Sequence, residues 1–128
     1  WDKVISPALN RGAWVICDRF ADSTIAYQGY GRGLDINFLW SMHNSVLPGI
    51  QPNLTLVFDL DPEIGIGRAL ARRTSEVRFE KMDLEFHKRM REGYLEIAKN
   101  NPERCRIIEA CQGIEEIHST IKGLIEAL

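Results

Sequence analysis

Residues 54–60 read LTLVFDL and are followed directly by Asp61, Pro62 and Glu63. The apolar run is rich in residues that favour strands, and it predicts a β-strand covered on both faces. Asp61 supplies a side-chain acceptor for a helix N-terminus, proline fits the first helical position, and Glu63 places a carboxylate in the first turn. We therefore expect a buried strand followed at once by a helix that runs to about Arg73.

Two shorter apolar runs, residues 13–17 (AWVIC) and 105–109 (CRIIE), predict two more strands. Between the strands, apolar residues recur at intervals of three and four, which is typical of amphipathic helices. Alternating strands and helices indicate an α/β fold with a parallel sheet and helices on its faces. The helical stretches are residues 1–10, 36–47 after a cap at Asp35, 79–97 and 114–128.

The composition describes an ordinary globular chain of 128 residues, with 45% hydrophobic and 27% charged residues. This length predicts a single domain, residues 1–128. The formal net charge of −2 gives a weak field, so we expect no nucleic acid or membrane partner. No apolar stretch approaches the roughly 20 residues of a membrane span, and the first residues do not resemble a secretion signal. We expect a cytoplasmic protein.

The densest polar cluster follows the first predicted strand and covers residues 18–33, DRFADSTIAYQGYGRG. Ligands of open parallel sheets bind beyond the carboxyl ends of the strands, which is where this cluster lies. Its plainest interpretation is a charged turn followed by a glycine-rich surface loop. The cluster also contains a cation for a phosphate, hydroxyl and amide groups for a base edge, and an aromatic ring for a sugar or base, so it predicts a nucleotide site. These groups are Arg19, Ser23, Thr24, Gln28 and Tyr27.

The same stretch resembles thymidylate kinases, whose pattern is Asp-Arg-aromatic, two residues, Ser-x-x-Ala-Tyr-Gln-Gly, one residue, Gly-Arg-Gly. Residues 18–33 match that pattern without a gap. The resemblance continues through residues 47–73, LPGIQPNLTLVFDLDPEIGIGRALARR, and residues 86–98, FHKRMREGYLEIA. It implies a P-loop NTPase-type parallel sheet with helices on both faces. It also implies transfer of the γ-phosphoryl of ATP to dTMP, with Mg²⁺, giving dTDP and ADP.

On this resemblance, Arg19 holds the acceptor phosphate of dTMP, a task that suits the bidentate fork of a guanidinium. Asp18 orders that arginine and a magnesium-bound water. Together with the arginines of a lid, Asp18 and Arg19 would form the catalytic set. No metal site built from protein ligands is predicted, because the three histidines of the chain have no ligand spacing.

The resemblance assigns the remaining residues of the cluster to recognition of the nucleoside. Thr24 faces the polar edge of thymine, with Ser23 beside it. Tyr27 packs under the deoxyribose, and Gln28 lines the same pocket. The alternative for Tyr27 and Gln28 is that they are ordinary helix residues that pack on the sheet.

A second cationic cluster contains Arg68, Arg72, Arg73 and Arg78. Arginines at a helix end are usually a solvated face. The resemblance instead places residues 72–80 in the lid that closes over ATP, where mobile arginines can neutralise charge during phosphoryl transfer. Arg68 and Arg72 would then bind ATP. The catalytic clamp would be Arg72, Arg73 or Arg78, and the sequence does not choose among them.

The phosphate-loop motif G-x-x-x-x-G-K-[ST] does not occur in the 128 residues. Gly65 and Gly67 lie inside a predicted helix and lack the lysine that the motif requires. The resemblance implies that this loop and the first strand are absent, and that the first strand would lie between residues 13–17 and 54–60. We therefore expect an incomplete sheet that is strained, strand-swapped with another copy, or rearranged so that those two strands meet.

Two classes of function follow from the sequence. The first is the dTMP kinase reaction of the family, for which the chain alone is expected to be inactive. The alternative is a non-catalytic truncated fragment that binds a nucleotide or associates with other chains. A related deoxynucleoside kinase is a lesser option, and the run Ala-Tyr-Gln-Gly at residues 26–29 favours thymidylate. The resemblance also implies a homodimer.

Overall fold

The computed structural model describes residues 1–71 and 84–128. From Thr55 onward strands are separated by helices, as the sequence predicts, whereas residues 1–54 contain helices and no strand. The elements are α1 (Ile5–Asn10), α2 (Ala21–Thr24), a π-helix (Ile25–Gly31), α3 (Ile36–Val46), β1 (Thr55–Asp59), α4 (Pro62–Ala71), α5 (Leu84–Asn100), β2 (Cys105–Glu109) and α6 (Ile114–Glu126).

The sheet of the described residues is a parallel pair, β1 and β2, with Thr55 opposite Cys105 at one end of the register. Parallel neighbours need a long crossover, and here the chain between them includes α4 and α5. Val57 of β1 and Cys105 of β2 are buried against Ala98 of α5. Two of the three predicted strands are therefore confirmed, and α5 packs on them.

Residues 13–17 are the exception, because the structure assigns no strand to them. Trp14 is 72% exposed and Ile16 is 97% exposed, so the prediction of a strand covered on both faces is wrong. A strand exists only where its N–H and C=O groups pair with a neighbour, and this segment has no strand partner in the described part of the chain. The expected rearrangement, in which it would meet β1, is not seen there either.

The predicted helix caps are confirmed by their hydrogen bonds. The Asp35 carboxylate accepts from the backbone N–H of Phe38 at 2.9 Å, at the start of α3. The Asp61 carboxylate accepts from the backbone N–H of Glu63 at 2.8 Å, at the start of α4. Each bond satisfies one of the amides that a helix leaves free in its first turn. The expected end of α4 near Arg73 lies outside the described residues.

The main core lies between the π-helix, α3 and α5. Ile25 and Ala26 are almost completely buried against Leu39 of α3 and Ile97 of α5. Met90 packs against the edge of this cluster, in the apolar stripe that the sequence predicts for the long helix. The start of that stripe, at residues 79–83, lies outside the described residues.

Two glycines let the π-helix approach α5 closely. A Cβ at Gly93 of α5 would lie 2.5 Å from Cγ of Tyr30, and one at Gly31 would lie 2.6 Å from a ring carbon of Phe86. Arg89 of α5 donates from Nε and Nη2 to the carbonyl oxygen of Gly31, at 3.2 and 3.0 Å. These contacts hold the end of the π-helix, whose last carbonyls have no partner within the helix itself, against α5.

A buried ion pair joins three segments that are far apart in sequence. Arg104 donates to both carboxylate oxygens of Asp22, from Nη1 at 2.7 Å and from Nη2 at 2.9 Å. The side chains of Arg104 and Asp22 are only 9% and 6% exposed. Arg104 Nη1 also donates to the Thr55 hydroxyl at 3.2 Å. The carboxylate bonds raise the pKa of Arg104, which keeps the pair charged.

A second pair fixes α5 to the carboxyl end of β1. Arg91 donates to the two Asp59 oxygens, from Nε at 2.6 Å and from Nη2 at 3.0 Å. These bonds hold the pKa of Asp59 below its ordinary value, because they favour the charged carboxylate. Since the side chains are 38% and 23% exposed, water screens this pair more than the buried one.

We expect Asp22→Asn to lower the free energy of unfolding by about 3–5 kcal/mol, because it leaves the Arg104 charge buried without a partner. Urea unfolding of the native chain and the variant measures the loss. Lys122→Ala is the matched control, since it breaks an exposed pair with Glu126 at 3.8 Å and should cost less than about 1 kcal/mol. A loss in Asp22→Asn as small as that of the control would contradict the prediction.

The Asp59–Arg91 pair predicts a dependence of stability on pH. Its contribution is complete above the ordinary aspartate pKa of about 3.9 and is lost as the pH falls through the lower folded value. We therefore expect acidification from about pH 7 to about pH 3 to reduce the unfolding free energy less in Asp59→Asn than in the native chain. Glu126→Gln controls for the removal of an exposed carboxylate. If acidification lowers the unfolding free energy of Asp59→Asn and of the native chain equally, the pair does not contribute to the pH dependence.

Candidate functional site

The polar cluster begins at a sharp bend formed by Asp18 and Arg19, between the exposed segment 13–17 and α2. Arg19 has a φ of +64°, in the left-handed region that residues other than glycine rarely adopt. Its guanidinium carbon lies 5.0 Å from the centroid of the Tyr27 ring, which is cation–π distance. The bend therefore directs the cation over the aromatic ring that the sequence groups with it, while Asp18 stays exposed.

Tyr94 of α5 contacts both Ser23 and Tyr27. Its hydroxyl donates to the Ser23 hydroxyl oxygen at 2.8 Å. Its ring stands edge-on to that of Tyr27, with the centroids 6.4 Å apart, a favourable aromatic geometry. Burial raises the pKa of Tyr94, so its hydroxyl keeps the proton that it donates. Arg19, Ser23, Tyr27 and Tyr94 thus form one connected set, called here the Arg19–Tyr27 cluster.

Thr24 and Gln28 follow Ser23 and Tyr27 by one residue each, so they share the neighbouring face of the helix. Thr24 is exposed and Gln28 is half-buried. The structure brings neither side chain into the cluster by a hydrogen bond from a described residue. Their hydroxyl and amide groups remain available to a ligand.

The arginines assigned to the lid divide into two groups. Arg68, near the end of α4, is exposed and donates from Nη1 to the carbonyl oxygen of Ala110 at 3.1 Å, just beyond β2. It therefore lies at the same end of the sheet as the carboxyl ends of both strands. Arg72, Arg73 and Arg78 lie outside the described residues.

A cleft of about 260 Å³ opens at the carboxyl end of β1, between β1, α4 and α5. Asp59, Asp61 and Arg91 line it, together with Tyr94. His87 also borders it, and its Nε2 atom is buried without a hydrogen-bond partner among residues 1–71 and 84–128. Tyr94 thus belongs both to the lining of this cleft and to the Arg19–Tyr27 cluster.

Sequence reasoning missed the contribution of α5 to the site. Tyr94 occupies a core position in the apolar stripe of that helix, and the periodicity treats its ring as core. The hydroxyl is the signal that could have identified it, because a buried tyrosine usually needs a hydrogen-bond partner. For Arg91, the paired carboxylate of Asp59 lies 32 residues away, and no local pattern marks such a partner.

The described part of the chain contains neither a cluster of metal ligands nor a membrane-spanning helix. In residues 1–71 and 84–128 no group of three potential His, Cys, Asp or Glu ligands lies close enough to hold a metal ion. In the same ranges no helix is long and apolar enough to cross a membrane.

Comparison with known proteins shows which family this chain resembles. The family model described as thymidylate kinase matches residues 1–121. A thymidylate kinase of Oleidesulfovibrio alaskensis is 47% identical, over 96% of this chain and 61% of its own length. One from Carboxydothermus hydrogenoformans is 45% identical, over 99% of this chain and 61% of its own length.

A solved structure gives the same result for the fold. The crystal structure of thymidylate kinase from Ehrlichia chaffeensis superposes with a TM-score of 0.69 and 34% identity, over 97% of this chain and 55% of that one. The parallel pair β1–β2 with its helices is therefore an incomplete P-loop NTPase-type α/β fold. The chain spans about 60% of the length of the curated relatives it matches. On this evidence, the chain belongs to the thymidylate kinase family.

Proposed function

We propose that this chain supplies the acceptor-nucleotide site of a dTMP kinase, which transfers the γ-phosphoryl of ATP to dTMP and gives dTDP and ADP. The observation that carries the proposal is the Arg19 guanidinium 5.0 Å from the Tyr27 ring centroid, on a helix that also presents Ser23. A cation and an aromatic ring at this separation suit a phosphate and the sugar attached to it.

In this proposal the bend and the helix that follows it contact different parts of dTMP. Arg19, at the bend, binds the acceptor phosphate with its bidentate guanidinium. Tyr27 packs under the deoxyribose and Gln28 lines the same pocket, while Thr24 faces the polar edge of thymine with Ser23 beside it. Phosphoryl transfer depends mainly on positioning and charge neutralisation, so a phosphate held by Arg19 would be ready for attack on ATP.

Mg²⁺ commonly binds through one or two carboxylates together with waters and substrate phosphates. Asp18 is an exposed carboxylate next to Arg19, and it fits a role in holding such an ion through water. When bound, the ion would neutralise charge on the phosphates of ATP. Asp18 itself would orient the Arg19 guanidinium.

The donor side of the reaction involves the second arginine cluster. Arg68 and Arg72 bind ATP, and one of Arg72, Arg73 and Arg78 is the catalytic clamp in a lid at residues 72–80. We further propose a homodimer in the cytoplasm. Delivery of arginines by a closing lid is a common way to neutralise a transferring phosphoryl group.

A second candidate is a non-catalytic fragment that binds a nucleotide or associates with other chains. The observation that favours it is the uncovered apolar surface. Trp14 and Ile16 are exposed, as are Phe58 of β1 and Ile107 of β2. Exposed strand edges and apolar faces promote association between chains.

Two variants of Arg19 separate binding from backbone strain. Arg19→Gly removes the guanidinium and relieves the left-handed φ, so we expect it to weaken dTMP binding at least 10-fold. The unfolding free energy should rise or stay within about 1 kcal/mol. Arg19→Lys keeps a charge but loses the fork, and should give an intermediate affinity. Calorimetric titration with dTMP measures the affinity, and urea unfolding measures the stability. A marked loss of stability in Arg19→Gly would contradict the inference that the backbone of Arg19 is strained.

The reaction itself is tested by ADP release from ATP, dTMP and Mg²⁺. We expect the 128-residue chain to be inactive, and a chimera carrying the amino-terminal part of the Oleidesulfovibrio alaskensis relative before Trp1 to be active. Arg19→Lys in the chimera is the matched control, and it should lower kcat/KM for dTMP at least 10-fold. An inactive but folded chimera would favour the non-catalytic fragment.

A further inference from the structure

The hydroxyl of Ser23 makes a different kind of hydrogen bond from those of Ser41, Ser45 and Thr120, which also lie on helices. Ser41 donates to the carbonyl oxygen of Phe38 and Ser45 to that of Ser41, both at 2.8 Å. Thr120 donates to the carbonyl oxygen of Glu116 at 3.0 Å. This is the usual outcome for serine and threonine in a helix, because the preceding turn offers a free lone pair nearby.

Ser23 instead accepts a hydrogen bond. Its oxygen accepts a hydrogen bond from the Tyr94 hydroxyl at 2.8 Å, and no described residue accepts a hydrogen bond from the Ser23 hydroxyl. A serine hydroxyl has one proton and two lone pairs. With one lone pair occupied by Tyr94, Ser23 keeps a free proton beside Tyr27, on the half-buried face of the cluster.

The direction of this bond follows from the chemistry of the two hydroxyl groups. A phenol is the more acidic of the two, so Tyr94 is the better donor and Ser23 the better acceptor. The ring of Tyr94 is held edge-on to Tyr27, and Gly93 beside it lets α5 approach the π-helix closely. The position of the donor is therefore set by packing and does not depend on a ligand.

We propose that Tyr94 is a positioning residue of the acceptor site, which fixes Ser23 as a hydrogen-bond donor to an oxygen of the bound nucleoside monophosphate. The inference rests on the proposed function and goes beyond it, because it assigns a role to α5 and a direction to the bond at Ser23. A bond made by Ser23 in this arrangement is strengthened by the Tyr94 bond behind it, since hydrogen bonds in a chain polarise one another.

The test is calorimetric titration of the 128-residue chain with dTMP, for native protein, Tyr94→Phe, Ser23→Ala and the double variant. Loss of a hydrogen bond of about 1 kcal/mol predicts that each single variant binds roughly 5-fold more weakly. The double variant should bind no more weakly than Ser23→Ala, because Tyr94 acts through Ser23. Tyr30→Phe removes the same group from a tyrosine of the π-helix that takes no part in the proposed bond, and it should bind like the native chain.

A second titration, with thymidine, shows which oxygen of dTMP accepts the hydrogen bond from Ser23. If Tyr94→Phe weakens the binding of thymidine and of dTMP equally, the oxygen that accepts from Ser23 belongs to the nucleoside. If it weakens the binding of dTMP alone, that oxygen belongs to the phosphate. Both outcomes support the proposal. Thermal unfolding of each variant, without ligand, shows whether an altered affinity comes from altered folding.

Three results would overturn the inference. Native affinity in Tyr94→Phe would show that the phenol does not position Ser23. If the double variant binds dTMP more weakly than Ser23→Ala does, Tyr94 acts only through packing. Failure of the native chain to bind dTMP would remove the proposed function, and this inference with it, whereas the first two results leave dTMP binding in place.

Discussion

The buried ion pair between Asp22 and Arg104 is the constraint on which the rest of the structure depends. It joins the helix that carries the proposed nucleotide-binding groups to the residue just before β2, across 82 positions of sequence. The Thr55 hydroxyl, at the start of β1, completes the contact. Taking two charges out of water opposes folding, and the hydrogen bonds to Asp22 compensate for that only in one geometry. The pair therefore selects a single placement of α2 on the strands.

That placement determines which groups of α5 reach the site. Once Asp22 is anchored, the π-helix that follows lies along α5, where Gly93 and Gly31 provide room for the rings of Tyr30 and Phe86. The same approach brings the Tyr94 hydroxyl to within 2.8 Å of Ser23. The proposed acceptor site is thus built from one local helix and one distant helix, and small residues at the contact make its geometry possible.

The sequence predicted what local chemistry determines. β1 and its following helix, and the caps at Asp35 and Asp61, follow from patterns within a few residues. Residues 13–17 were predicted wrongly because a strand is a property of a pair, and apolar composition alone does not supply the neighbour. No local sequence pattern predicts that Asp22 pairs with Arg104, because the two residues are 82 positions apart. The roles that the sequence assigns to the site residues, from Asp18 to Gln28 and in the lid, stay predictions.

Departures from local preference concentrate around the proposed site. Arg19 adopts a left-handed backbone, and the Ser23 proton lacks a described acceptor. Sequences violate local rules mainly where function requires it. Arg19 also follows directly after residues 13–17, whose side chains are uncovered. Because the bend at Asp18 and Arg19 continues the backbone of that segment, the direction of the guanidinium depends on the conformation of residues 13–17. In the proposed function, affinity for the acceptor phosphate is therefore coupled to the order of that segment.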